Sequence, residues 1–63
     1  MKNNILKLLE ERNISIRQLA INLNMDYAAT YQLVHRKDLN KTQAGTLVNV
    51  AEYLGVDVKK LWE

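Results

Sequence analysis

The chain has 63 residues, 48% of them apolar, a formal net charge of +2, no cysteine, no proline, one histidine and two glycines, Gly45 and Gly55. That length holds one domain at most, spanning 1–63, and the cysteine and histidine counts exclude a disulfide scaffold and a structural zinc site. The apolar content is too high for plain disorder, and no apolar run reaches the roughly 18–20 residues of a bilayer span.

Lys7, Glu10 and Glu11 interrupt the N-terminal apolar stretch, so it does not read as a signal peptide. A small soluble domain of the cytoplasm, with no membrane and no cofactor or metal, is the expectation. The scarcity of glycine, proline and hairpin signals favours an all-α chain. Charge is unevenly placed. Residues 12–41 carry Arg12, Arg17, Arg36, Lys37 and Lys41 against Asp26 and Asp38, a net +3, whereas 1–11 are neutral and 42–63 carry −1. A basic middle is the footprint of a polyanion, nucleic acid being the commonest; a solvated face is the other reading of the same charges.

Five helices follow in chain order. Asn4 is placed to cap the first, over about 5–12, whose apolar stripe is Ile5, Leu8 and Leu9, and Asn13 tolerates the left-handed backbone that would end it. Ser15, with Gln18 three residues on, forms a capping box for the second, over about 16–23, with Ile16, Leu19, Ala20 and Leu23 at helical spacing. Asn24 suits a left-handed turn. Asp26 caps the third, over about 27–36, and complements its dipole. So short a link between helices two and three forces a sharp angle.

Residues 37–41 read as a basic loop. Thr42 is the expected cap of the fourth helix, over about 43–54, with Leu47, Val50, Ala51 and Leu54 as its buried stripe. Gly55 follows as the left-handed stop, Val56 packing back. Asp57 caps a last short helix over about 58–62, ending in Leu61 and Trp62, which belong to the core edge or to a subunit contact.

The segment from Ile14 to Asp26, with Ser15, Leu19, Ala20, Asn24, Met25 and Asp26 in order, resembles the first half of the phage repressor and Cro type of helix-turn-helix. That is also the family of the xenobiotic-response-element regulators. Leu47, Ala51, Leu54, Gly55, Val56 and Asp57 resemble the family's closing pattern, so the resemblance covers about 5–62. It implies a compact five-helix repressor-like DNA-binding domain, the helix-turn-helix formed by helices two and three and the third lying in the major groove. Ala20 should be small because those helices approach there, and Met25 should fill the core beneath the turn.

Three positions depart from the family pattern. Asn24 stands where glycine is usual, and Arg36 and Lys37 stand where a glycine often follows helix three. Leu9 and Val34 occupy positions that often hold an arginine and glutamate pair; packed apolar side chains replace such a pair at little cost, and the two are expected to touch.

The resemblance puts the base-reading positions on Tyr27, Ala28 and Gln32. The spacing agrees, because residues 28, 32 and 35 share a face that Tyr31 adjoins. Gln32 can pair bidentately with adenine and Ala28 offers a methyl to thymine. Tyr27 and Tyr31 suit base edge, phosphate or sugar, or ordinary surface packing. Thr30 and Leu33, with Ala29 at the edge, should face the core.

Phosphate contacts are expected from the backbone at Ile16 and Arg17, from Arg17, Lys37, Lys41 and the Thr42 region, and more weakly from Asn40. Family members often carry glutamine at the Ile16 position, so any contact made by this side chain is apolar. His35 is a phosphate contact or a plain exposed side chain. Ile21 falls off the buried stripe, either inconsequential or part of a partner site.

No nucleophile, base and orienting group stand together, so an enzyme is not expected. The resulting reading is a sequence-specific regulator of transcription on double-stranded DNA, acting as a homodimer, with a contact near Val56, Val58 or Trp62. A bare domain of this kind resembles Cro-type phage proteins and small bacterial regulators. Two rivals use the same fold: a protein-interaction module (antitoxin, antirepressor or modulator of a repressor) using exposed Ile16, Ile21 and the tyrosines, and a non-specific nucleoid binder.

Overall fold

Three of the helices stop at residues that tolerate a left-handed backbone. In a computed structural model, which describes residues 2–63 and so leaves Met1 of the expected domain outside the described residues, α1 spans Ile5–Glu11, α2 Ile16–Leu23, α3 Tyr27–His35 and α4 Ala44–Leu54. Asn13 and Asn24 sit at φ 56° and Gly55 at φ 69°. At each, the next amide reaches back to a carbonyl five residues earlier: Ile14 to Leu9 at 2.9 Å, Met25 to Ala20 at 3.0 Å, Val56 to Ala51 at 3.0 Å. This closure satisfies carbonyls that the helix itself cannot. Ile14 and Val56 pack back on the core, completing the motif with its apolar contact.

The expected fifth helix is a 3-10 turn, Val58–Leu61, so the described residues form four α-helices and one such turn, with no strand. Asp57 caps it by accepting from the Lys59 amide at 3.0 Å. It is four residues long, and the tighter helix is the form a piece that short takes. Helices α1 and α3 each end one residue earlier than expected, at Glu11 and His35.

Two caps differ from expectation. The Asn4 side chain does not cap α1. Its amide donates to the Lys60 carbonyl at 3.3 Å and to that of Glu63, and its backbone amide meets the Leu61 carbonyl at 2.8 Å. Asn4 thus ties the start of the chain to its end, while Asn3 Oδ1 takes the Ile5 amide at 3.0 Å. Thr42 does not cap α4 either. The cap position is Gln43, without a side-chain bond, and Thr42 Oγ1 accepts from Arg36 Nη1 at 3.0 Å. The Ser15–Gln18 box and the Asp26 cap are as expected.

The core is one cluster, drawn from every helix: Ile5 and Leu9, Leu19, Leu33 and Val34, then Leu47, Val50, Ala51 and Leu54, with Leu61 closing it. Ala20 is buried as well, where α2 meets α3. Leu9 and Val34, the two departures from the ion-pair pattern, both belong to the cluster. Thr30 is a buried polar side chain, and it satisfies itself by donating from Oγ1 to the Asp26 carbonyl at 2.9 Å.

Leu39 is fully buried although it lies in the basic loop, which it anchors. No helical periodicity marks a lone apolar residue between Asp38 and Asn40. Met25 is only half-buried and lies outside the core cluster, and Ala29 is exposed. Met25 was expected to fill the core, and Ala29 to lie at its edge. Met25 and Ala29 line a surface depression instead.

Candidate nucleic-acid interface

Helix α3 buries Thr30, Leu33 and Val34 and exposes the rest. Its side chains recur every 3.6 residues, so the exposed arc holds Ala28, Gln32 and His35, flanked by Tyr27 and Tyr31 on one side and Ala29 on the other. Every base-reading candidate, Tyr27, Ala28, Tyr31 and Gln32, is therefore presented to solvent. Tyr27 and Tyr31 are 53% and 47% exposed, a large share for apolar rings on a domain this small.

The rings form a ladder along one flank. Tyr27 and Tyr31 lie with centroids 6.2 Å apart, and Tyr31 and His35 with centroids 4.2 Å apart and planes at 40°. The three residues follow at i, i+4 and i+8, the spacing that brings side chains together on a helix. His35 is thereby held against Tyr31 rather than extended alone into solvent.

On the other flank α3 meets the loop and the start of α4 around a depression of about 270 Å³. Gln32, Arg36, Lys41, Thr42, Gln43 and Thr46 are among its walls. The fold thus sets the amide of Gln32 beside two cations, Arg36 and Lys41. Sequence reasoning missed Arg36 and Thr46 as members of this surface. Arg36 was findable, lying one helical turn beyond Gln32. Thr46 belongs to α4, and no local spacing connects it with α3.

The expected phosphate contacts scatter more widely. Lys37 and Lys41 are exposed; so is Asn40, whose backbone amide donates to Asp38 Oδ1 at 2.9 Å. Thr42 is half-buried and its hydroxyl already serves Arg36. Arg17 is exposed in the first turn of α2, where its amide and that of Ile16 have no intrahelical acceptor. The Ile16 side chain is not exposed as expected but half-buried against the core, so its contribution to a ligand rests with the backbone.

The end of α3 is held from a distance. Asn3 Nδ2 donates to the carbonyls of Leu33 at 2.9 Å, Val34 at 3.3 Å and Arg36 at 3.0 Å. Arg36 itself is extended, φ −61° and ψ 144°, with no left-handed residue to close the helix. A side chain from the N-terminal segment therefore takes the role that a glycine after this helix often has.

Two helices joined through a three-residue turn, the second presenting its outer face beside a basic loop, define a helix-turn-helix. The Cro/C1-type helix-turn-helix DNA-binding domain family matches residues 4–63, and the chain belongs to that family. Neither the curated proteins nor the solved structures gave a match. Among the described residues no helix is long and apolar enough to cross a membrane.

Proposed function

We propose that this chain is a sequence-specific regulator of transcription that lays α3 in the major groove of double-stranded DNA. The observation that carries the reading is the outer face of α3, with Ala28, Tyr31 and Gln32 exposed and Gln32 sharing a depression with Arg36 and Lys41. Base edges are met by Tyr27, Ala28, Tyr31 and Gln32. Phosphates are met by the first-turn amides of Ile16 and Arg17 and by Arg17, His35, Lys37, Asn40, Lys41 and Thr42. The domain acts without catalysis, and a repressor of the Cro kind, blocking a promoter by occupancy, is the simplest use of such a surface.

A single unit covers little of a groove, so two copies would bind a two-fold operator with half-site centres about 34 Å apart. Val56, Val58 and Trp62 are half-buried against their own core and keep part of their surface for such a contact. Val58→Asp should abolish cooperative binding to a two-half-site duplex; unchanged cooperativity would move the contact elsewhere.

The deciding experiment is an amide NMR titration with a mixed-sequence duplex at low and moderate salt. Shifts should gather at residues 16–17, 27–32 and 37–42 and weaken steeply with salt, the log–log slope being about −0.9 per phosphate. Silence at those residues at low salt overturns the reading.

One observation favours a second use. Ile21 is 74% exposed on α2, and a groove of about 530 Å³ between α2 and α4 is lined by Asn22, Leu23, Asn49, Glu52 and Tyr53. DNA binding that is weak and little dependent on salt would favour this use, and a protein partner seated there would shift the amides of these residues instead of those of α3.

A further inference from the structure

Helix α3 lacks the side chains that pair bidentately with guanine. Between Tyr27 and His35 there is no arginine, lysine, aspartate or glutamate. Its exposed side chains are two phenols, two methyl groups, one carboxamide and one imidazole. In the major groove guanine is distinguished by two acceptors, O6 and N7, and the side chains that meet both at once are arginine and lysine. Of the two cations that share the depression with Gln32, Arg36 lies beyond the helix end with Nη1 on Thr42 Oγ1 at 3.0 Å and Lys41 lies in the loop, both on the flank of the face. Cytosine, which offers a donor, is met by a carboxylate, and α3 has none.

What the face does offer matches the other base pair. A carboxamide pairs with the N6 donor and N7 acceptor of adenine, and Gln32 is exposed at the centre of the arc. Thymine is the base with a methyl group in this groove. Ala28 and the rings of Tyr27 and Tyr31 make a continuous apolar strip next to Gln32, and the Tyr31–His35 contact holds the second ring in place. An apolar strip gains from covering methyl groups and gains nothing from the polar edge of a G·C pair.

We infer that the half-site read by α3 consists of A·T pairs, with Gln32 on an adenine and Ala28 and Tyr31 on thymine methyl groups. This rests on the DNA-binding reading above and adds to it the chemistry of the bases chosen. Specificity then comes from one bidentate amide and a set of methyl contacts, and the basic loop supplies affinity without sequence.

The test is selection from random duplexes with the full chain, followed by base analogues in the selected site. A·T pairs should be enriched at the selected positions of each half-site. Replacing their thymines by deoxyuridine should weaken binding about fourfold per buried methyl. Replacing the key adenine by 7-deazaadenine should weaken it about fivefold or more. Gln32→Arg should redirect that one position to G·C.

Enrichment of G·C pairs at the selected positions overturns the inference. So does an A·T preference indifferent to both analogues, which traces the choice to groove shape. Steeply salt-dependent binding with no selected sequence overturns it too, and in each of these cases DNA binding itself stands. Failure to bind any duplex at low salt overturns both.

Discussion

Helices α1, α2 and α4 close on themselves, each through a left-handed residue at Asn13, Asn24 or Gly55 and a bond spanning five residues. Helix α3 closes on Asn3, thirty residues before the first carbonyl it meets. The two devices satisfy the same orphan carbonyls, yet they differ in what they couple. A local closure depends on a few neighbouring residues and survives changes elsewhere. The Asn3 closure ties the end of α3 to the N-terminal segment, and through Asn4 to the 3-10 turn at the far end of the chain. Where α3 stops, and how the basic loop leaves it, is thus a property of the whole fold.

Four substitutions break or sharpen this contrast. The largest effect belongs to Leu39→Ala, which empties a fully buried site and frees the loop that follows α3. It should cost about 2–5 kcal/mol in denaturant unfolding; a loss below 1 kcal/mol, on the order of a surface change, would show that the loop is not anchored there. Asn3→Ala comes next. It removes the donor shared by the carbonyls of Leu33, Val34 and Arg36, leaving Leu33 only the long bond from the Arg36 amide at 3.5 Å, and should cost about 1–3 kcal/mol. Its amide shifts should concentrate at residues 33–37, and operator affinity should fall with them. Shifts confined to the N-terminus would leave α3 independent of Asn3.

Gly55→Ala tests a local closure in isolation. A Cβ there meets nothing within 4 Å, so the cost is backbone strain alone at φ 69°, about 1–2 kcal/mol. Thermal unfolding should register it, with no change in the spectrum of α3. The smallest effect is expected of Asn24→Gly, which keeps the left-handed turn with the residue that suits it best. Stability should stay within about 0.5 kcal/mol of the parent chain. A larger loss would mean that the Asn24 side chain has work beyond its backbone.

The legible parts of the fold were those coded within a few residues. Ser15 and Gln18, Asp26, Asn24 and Gly55 each announce a cap or stop by type and spacing. Their hydrogen bonds fall where expected because both partners lie on one turn of chain. The exposed face of α3 was legible for the same reason, helical period being local. Thr42 and Asn4 were misread as caps because each has a better partner from another part of the chain, Arg36 for one and the residues near Glu63 for the other. Ala29 and Met25 were misplaced because the periodic stripe says which side is apolar and not how deep a neighbour covers it.

The amino-acid sequence by itself determined the helices, their order, the tight turn between α2 and α3, and the chemical inventory of the face that α3 presents. These follow from backbone preferences and short-range bonds that no distant residue needs to complete. Only the tertiary structure decided that Leu39 is core, that Arg36 and Thr46 flank Gln32, and that Asn3 ends the recognition helix. Each of those requires segments far apart in the chain to arrive together, and packing of the entire core, rather than any residue's own preference, sets that meeting.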